Sequence, residues 1–261
     1  MHATILAAGF QTRLNKSRPT PMLAAEKPKA LLPLGGGVAL IDFLVNWLAL
    51  DAVGCIHVVH NAIHAHQFMQ WHKSLQWRPT RRRRDPPYIR LRNTRVERLI
   101  DRRGSVGDLA WNLGEVGYTK KYGHIIVFGD NVFVDPTVEE LVGDGDVTTI
   151  TARHKGTLAR HSGSCLGCID VVKNELGETG TGDYRVAGPI YLAPQDTLKV
   201  REYARLCQLA EVPCDDFVPF LGWLKKESPI RVKVAPGAFF DIGTETDLRL
   251  ALKMFARGPV N

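Results

Sequence analysis

The 261-residue sequence contains no run of about 18 apolar residues, the length that a membrane-spanning helix requires. Its start has no basic segment followed by a long apolar one, so nothing indicates a secretory signal. Internal repeats, low-complexity tracts and linkers are absent as well. We therefore expect a cytoplasmic protein with no membrane partner. With 44% hydrophobic residues the chain can form one large domain as readily as two small ones, and we predict a single domain spanning residues 1–261.

Cysteine is scarce, and its pattern argues against disulfides. The chain has five cysteines, an odd number, and the expected compartment is reducing. Cys165 and Cys168 have the spacing of a metal-binding pair, but no second pair follows them. We favour two small buried cysteines and leave zinc open as the alternative. His57 and His60 lie three apart on a predicted strand, so they face opposite sides, and we interpret them as structural or exposed.

Positive charge is unevenly distributed. The formal net charge of +7 has a local source in the many arginines between residues 78 and 103. Such a run can bind nucleic acid, but this one lacks the interleaved aromatic residues of a base-stacking surface. For Arg81–Arg84, which lie between prolines, we favour a solvated loop. The charge indicates an anionic partner without naming one, and the lack of interleaved aromatic residues argues against nucleic acid as that partner.

Apolar strands and helices alternate along the first half of the chain. A predicted strand at residues 4–8 and helix at 40–50 precede a second strand at 55–60 and helix at 61–75. This alternation is typical of a parallel sheet with helices on its faces. The run at 123–128 is apolar apart from His124, as a central buried strand would be. The predicted fold class is therefore α/β.

The first predicted strand leads into a loop suited to phosphate. It ends at Gly9, and the polar loop beyond contains Gln11, Thr12 and Arg13. A glycine after a strand lets an oxygen approach the backbone closely. An arginine offers a fork of donors to a polyphosphate. Lys29 adds a second cation further along the chain.

Three other places combine a glycine or an aspartate with the end of an element. Gly104 and Gly107 open a predicted helix, where backbone N–H groups suit an anion or a flat base, although such glycines are also common without a ligand. Asp130 follows the central apolar strand, where α/β sheets place their chemistry. Asp241 belongs to a Phe-Phe-Asp-Ile-Gly-Thr string before the last predicted helix.

Together these motifs resemble a known family. Leu-Ala-Ala-Gly-x-x-Thr-Arg-Leu from Leu6, followed by Pro-Lys-x-Leu-x-Pro from Pro28, is similar to the signature of the sugar-phosphate nucleotidyltransferases. These are the NDP-sugar pyrophosphorylases, which include glucose-1-phosphate thymidylyltransferases. Gly-Asp-Asn at Asp130 and Asp-x-Gly-Thr at Asp241 resemble two further motifs of the family. The resemblance covers residues 2–254.

The resemblance implies a three-layer, Rossmann-like nucleotidyltransferase fold with a mixed, mainly parallel central sheet. It also implies transfer of NMP from an NTP to a sugar 1-phosphate, with release of pyrophosphate. Mg²⁺ held by Asp130 and Asp241 is the implied cofactor, and Arg13 and Lys29 are the implied catalytic residues. The implied nucleotide-binding residues are Leu6, Ala7, Ala8, Gly9, Gln11, Thr12, Arg13, Gly104, Gly107 and Asp130. The implied acceptor-binding residues are Lys29, Gly167, Gly188 and Arg185.

The sequence also departs from the family. Gln11 replaces a usual glycine, and the segment between Arg13 and Lys29 is several residues longer. The family's Glu-Lys-Pro lysine, which binds the sugar phosphate, is missing, although Lys173 or Arg185 could substitute for it. A cytidylyltransferase for a small non-sugar phosphate, such as phosphocholine or a phosphonate, is therefore the alternative. A non-catalytic nucleotide- or nucleic-acid-binding module is a third reading. The sequence leaves the base of the NTP and a homo-oligomeric state open.

Overall fold

A computed structural model describes residues 1–9, 27–35, 38–49, 53–75, 87–116, 122–154, 168–170, 175–177 and 183–255. The strands are β1 (His2–Leu6), β2 (Pro33–Gly35), β3 (Val38–Ala39), β4 (Cys55–His60), β5 (Tyr88–Asn93), β6 (His124–Phe128), β7 (Asn131–Phe133), β8 (Thr148–His154), β9 (Cys168–Asp170), β10 (Glu175–Gly177), β11 (Tyr184–Leu192), β12 (Ile230–Val234) and β13 (Phe239–Asp241). The α-helices are α1 (Leu40–Leu48), α2 (Ala65–Ser74), α3 (Ser105–Val116), α4 (Val138–Val142), α5 (Pro194–Thr197), α6 (Lys199–Leu209), α7 (Phe217–Glu227) and α8 (Glu245–Phe255). Short 3₁₀ turns lie at Lys29–Leu31, Ala62–His64 and Leu99–Asp101.

Nine of the described strands form one mixed sheet. Its order is β10-β9-β11-β6-β1-β4-β5, and β8 and β12 continue from the other edge of β11. Strands β6, β1, β4 and β5 are parallel neighbours, as are β8 and β12. Antiparallel pairing involves β10 and β11, which run against the other strands of this sheet. The mixed, mainly parallel sheet implied by the resemblance is confirmed.

Helices cover both faces of the sheet, because the strands alternate apolar side chains between two cores. Ala3 and Ile5 of β1 join the core that contains residues of α1, α2, α4 and α8. Leu6 joins the core that contains residues of α3, α6 and α7. Thr4 faces this second layer too, since Asn112 of α3 donates a hydrogen bond to its hydroxyl at 3.0 Å. The expected three-layer arrangement is therefore confirmed.

Glu175–Gly177 form β10 at the edge of the sheet and pair with β9. Because β11 occupies one edge of β9, strand β10 provides backbone partners on the other edge. No helix in the described part of the chain is both long and apolar enough to cross a membrane.

Candidate active site

A two-stranded ribbon brings the two residues expected to bind the metal ion onto adjacent chain segments. Strands β7 and β13 pair antiparallel, with Asn131 opposite Asp241. Asp130 immediately precedes β7, and its carbonyl oxygen accepts a hydrogen bond from the backbone N–H of Ile242 at 2.9 Å. Asp130 and Asp241 therefore lie on adjacent chain segments, and both are half-buried. Two residues far apart in sequence meet here because the ribbon fixes their register.

Lys29 contacts the first of these carboxylates. Its ammonium donates a hydrogen bond to Oδ2 of Asp130 at 3.1 Å. The side chains of Lys29 and Asp130 are 13% and 29% exposed, so the pair is partly shielded from water. Lys29 belongs to the 3₁₀ turn that starts after Pro28. This contact holds the 3₁₀ turn that contains Lys29 against the chain just after β6.

The chain beyond β1 is fixed between its neighbours. The backbone N–H of Ala7 donates to Val59 at 2.8 Å, and the N–H of Gly129 donates to Leu6 at 2.8 Å. A Cβ on Gly129 would lie 3.0 Å from the Leu6 carbonyl oxygen, so this close approach requires glycine. The segment 6–9 therefore leaves the sheet next to the chain segment that carries Asp130. Gln11, Thr12 and Arg13 fall outside the described residues.

Asn61 was missed by the sequence analysis. It is fully buried at the end of β4, and its amide donates to the Ala8 carbonyl oxygen at 3.2 Å. Its side-chain oxygen accepts from the N–H of His64 at 3.2 Å and so caps the following turn. The available signal was the one that identified Asp130, a polar residue directly after a buried strand. Asn61 therefore holds the chain at Ala8, where it leaves the end of β1.

Gly104 and Gly107 lie at the start of α3 and pack against the segment before α7. Gly104 has φ +78°, and a Cβ there would overlap the backbone of Cys214 and Asp215. A Cβ on Gly107 would lie 2.9 Å from Cβ of Arg103. Contacts within the protein are thus sufficient to explain both glycines. Their contact with a nucleotide stays a prediction.

Besides Lys29, two of the residues expected at the acceptor are described, Arg185 and Gly188, and both lie on β11. The register with β8 shifts between Val186 and Ile190, and Gly188 within this bulge has φ +119°. The bulge by itself therefore requires a glycine. Arg185 pairs across the sheet with Arg153 of β8. Gly167 and Lys173 fall outside the described residues, so acceptor binding stays a prediction.

Arg153 is a second residue that the sequence analysis missed. Its fully buried guanidinium contacts Oδ1 of Asp135 at 2.9 Å and also the backbone carbonyl oxygens of Asp135 and Gly237. The N–H of Gly237 in turn donates to the Asp135 carboxylate at 3.0 Å. Burial lowers the pKa of Arg153, and the Asp135 carboxylate opposes that shift. The arginine links the segment after β7 to the segment before β13 and so supports the ribbon that carries Asp130 and Asp241.

Another carboxyl group near this end of the sheet differs in character. Burial raises the pKa of Asp108 in α3 to about 7. Arg103 opposes this shift, whereas Asp215 adds to it. Asp108 is therefore protonated over part of the neutral range, unlike a carboxylate that holds a cation. Sequence reasoning gave no signal for it.

Of the comparisons with known proteins, only the one with solved structures found matches. No protein-family model matches the chain, and no curated protein matches it. A solved structure from Bacillus anthracis in complex with a sucrose, described as a glucose-1-phosphate thymidylyltransferase, is 18% identical with a TM-score of 0.73. The comparison covers 100% of this chain and 96% of that one. The chain has the nucleotidyltransferase fold.

Two further solved structures share this fold. CTP:phosphocholine cytidylyltransferase from Streptococcus pneumoniae is 16% identical, with a TM-score of 0.71 over 97% of this chain and 98% of that chain. The inositol-1-phosphate CTP transferase from T. maritima is 13% identical, with a TM-score of 0.68 over 100% and 97%. The resemblance inferred from the motifs is thus confirmed in the fold. At such low identities the choice of substrate has to be argued from the site.

Proposed function

We propose that the chain is a Mg²⁺-dependent nucleotidyltransferase that transfers NMP from an NTP to a sugar 1-phosphate and releases pyrophosphate. The observation that carries this proposal is the β7–β13 ribbon, which places Asp130 beside Asp241 and next to Lys29. A protein that only binds a nucleotide would need neither two acids on adjacent chain segments nor a lysine against one of them. The three structural neighbours are, by their names, transferases that act on glucose 1-phosphate, phosphocholine and inositol 1-phosphate.

The donor set at the ribbon fits Mg²⁺. Asp130 and Asp241 offer carboxylate oxygens, the ligands that this hard cation prefers, and both are open to solvent in part. Asp130 already faces a cation, the ammonium of Lys29. When bound, Mg²⁺ would neutralise phosphate oxygens as a Lewis acid. Asp130 and Asp241 are the residues that would hold it.

The protein's own residues then have to bring two anions together. Attack of a phosphate on the α-phosphorus of an NTP is opposed by charge repulsion, so positioning and neutralisation are the main tasks. In this proposal Lys29 would hold the attacking phosphate, and Arg13 would stabilise the negative charge that grows on the leaving pyrophosphate. No general base is needed, because a phosphate monoester is already an anion at neutral pH. The absence of a histidine or cysteine from the proposed roles agrees with this.

A second acceptor class remains a candidate for a specific reason. The family's Glu-Lys-Pro lysine has no counterpart in this sequence, and two of the three neighbours act with CTP by their names. A cytidylyltransferase for a small non-sugar phosphate would keep the same Asp130–Asp241 pair and the same role for Arg13. It would differ in the groups around Arg185 and Gly188 that meet the acceptor.

The test is a matrix of NTPs against phosphorylated acceptors, with pyrophosphate release as the signal and mass spectrometry of the nucleotide product. The acceptors are glucose 1-phosphate, N-acetylglucosamine 1-phosphate, inositol 1-phosphate, phosphocholine and a phosphonate. We expect release only when an NTP, an acceptor and Mg²⁺ are all present. Turnover of CTP with phosphocholine or the phosphonate alone would select the second acceptor class. Nucleotide binding without release from any pair would identify a non-catalytic binding module instead.

A further inference from the structure

Three metal-binding side chains meet at the end of the sheet opposite the candidate active site. The Nδ1 atom of His2 lies 3.3 Å from Nε2 of His57. The sulfur of Cys55 lies 3.4 Å from the same Nε2 atom. All three donor atoms lie within 4.8 Å of one another, and no other described residues form such a group.

Strand geometry explains why these residues meet. Cys55 and His57 are two positions apart on β4, so their side chains point to the same face of the sheet. The parallel register pairs His2 of β1 with Cys55 and Thr4 with His57. His2 therefore stands beside both residues of β4. The cluster therefore consists of a Cys-x-His pair on β4 and a histidine on the neighbouring strand β1. The pairing register of the two strands is what brings them together.

The donor atoms have the spacing of a zinc site. Tetrahedral zinc with bonds of about 2.0–2.3 Å to nitrogen and sulfur separates its donors by roughly 3.3–3.6 Å. The two measured contacts of His57 match this range. The imidazole planes of His2 and His57 are inclined by only 11°, with centroids 5.6 Å apart. That centroid distance exceeds the nitrogen separation by about two ring radii, so the rings meet edge to edge with their nitrogens facing each other.

We propose that His2, Cys55 and His57 form a binding site for Zn²⁺ or a similar thiophilic divalent cation, separate from the acidic site at Asp130. Two imidazoles and a thiolate are a ligand set that zinc accepts, with a fourth position left for water. A cation held here would join β1 to β4 at their amino ends. Binding of a shared ion would require both rings to rotate, so that their lone pairs turn from each other toward the ion.

Protonation of the ligands governs the affinity of the site. Burial lowers the pKa of His57 to about 4, with further contributions from His2, Arg92 and Arg90, so this ring is neutral at pH 7 and can bind a metal. Burial raises the pKa of Cys55, although Arg90 and Arg92 oppose that shift. Metal binding therefore has to displace the thiol proton and becomes tighter as pH rises. The two arginines repel a cation, and the thiolate compensates for them in part.

The site lacks one usual support. No described residue forms a hydrogen bond with Nδ1 of His57, whereas metal-binding histidines generally donate their second N–H to an acceptor. We therefore expect an exchangeable metal ion, lost on treatment with a chelator and recovered on titration. The competing interpretation is a hydrogen-bonded trio of side chains without a metal. The two differ in whether the sulfur ever bonds to an ion.

The experiment uses the full chain without an added histidine tag, treated with a chelator and titrated with Co²⁺ and then Zn²⁺. Co²⁺ bound to a thiolate gives a charge-transfer band in the near ultraviolet, together with the intense visible bands of tetrahedral cobalt. We expect both signals to saturate at one ion per chain and to disappear when Zn²⁺ is added. Carboxylates alone cannot produce the charge-transfer band, so Asp130→Asn should retain it.

Variants of the three ligands decide the assignment. Removal of a group that merely supports a ligand costs roughly 10- to 100-fold in affinity, so Cys55→Ser, His2→Gln and His57→Gln should each weaken binding by at least about 100-fold. Cys207→Ser and Cys214→Ser are the matched controls and should bind like wild type. If buried His57→Gln does not fold, the variants at half-buried Cys55 and His2 carry the test. Absence of the charge-transfer band in wild type, or its persistence in Cys55→Ser, would overturn the proposal.

Discussion

The two ends of the parallel strands carry opposite chemistry. Beyond the carboxyl ends of β1 and β6 lie oxygen donors and a lysine, with Asp130 held between Lys29 and the strand that carries Asp241. At the amino ends of β1 and β4 lie nitrogen and sulfur donors, His2, His57 and Cys55. The first set suits a hard cation with phosphates, and the second suits a soft cation.

The two ends are also assembled differently. At the carboxyl ends the functional residues come from turns after the strands, so segments far apart in sequence have to be brought into register by the β7–β13 ribbon. At the amino ends they lie within the strands, where pairing of β1 with β4 alone fixes their positions. The carboxyl end therefore depends on supporting residues such as Arg153, and the amino end does not.

The largest effect should come from removing a charge at the acidic end. Asp130→Asn and Asp241→Asn should each lower kcat for pyrophosphate release by at least about 10³-fold, because the developing phosphate charge loses its neutralisation. Circular dichroism should show an unchanged fold. Asp144→Asn is the control. This exposed acid does not belong to the ribbon, and it accepts a hydrogen bond from Arg231 at 3.1 Å. Near-wild-type release by both site variants would show the metal assignment to be wrong.

The next prediction tests whether the ribbon needs its support. Arg153→Met leaves Asp135 and the Gly237 carbonyl without a buried partner, which should lower the free energy of unfolding by about 3–5 kcal/mol. Urea denaturation monitored by tryptophan fluorescence measures the change. Arg231→Met removes an exposed pair with Asp144 and should leave the unfolding midpoint unchanged. Equal effects of the two substitutions would mean that Arg153 does not hold the ribbon.

Much of the acidic end could be predicted from the sequence. Asp130 and Asp241 stood out because each combines an acid with a glycine next to an apolar strand, and such local patterns survive without knowledge of packing. Arg153 could not be found in this way. It is the penultimate residue of β8, and only the tertiary contacts with Asp135 and Gly237 make it important.

The amino end was missed for a different reason. Comparison of His57 with His60 correctly indicates opposite faces, but the relevant spacing is the two-residue step from Cys55 to His57. The participation of His2 depends on which strand lies beside β4, and a single sequence does not give strand order. The sheet's general character was predictable from alternation, whereas its exact pairing, including β10 against β9, was not.

The proposed function assigns Lys29 to the acceptor and Arg13 to the NTP. Lys29→Ala should mainly raise the KM of the acceptor, and Arg13→Ala should lower the rate at saturating substrates. Loss of one charge-assisted contact should cost roughly 2–4 kcal/mol, which is about 30- to 1000-fold in kcat/KM. Steady-state kinetics with each substrate varied in turn measure both effects. If Arg13→Ala raises the acceptor KM and Lys29→Ala does not, the two roles are exchanged.

The smallest effect concerns Asp108, the carboxyl group near the acidic end that is not a proposed metal ligand. Its pKa is raised from 3.8 to about 7 in the folded protein, mainly by burial, against the opposing charge of Arg103 and with the repulsion of Asp215. Asp215 is itself paired with Arg102 at 2.6 Å. Between pH 4 and 7 the folded state therefore binds a proton that the unfolded state has lost. Its stability should fall as pH rises through this window.

The expected loss between pH 6 and pH 7 is about 1 kcal/mol, because a full proton difference is worth roughly 1.4 kcal/mol per pH unit. Asp108→Asn keeps the shape of the protonated acid and cannot ionise, so its stability should vary less over this range and exceed that of wild type at pH 8. Asp101→Asn, at an exposed position beside Arg98, should follow the wild-type curve. Urea unfolding at each pH gives the comparison. Parallel curves for wild type and Asp108→Asn would mean that Asp108 is charged in the folded protein, and that the acids at this end of the sheet are alike.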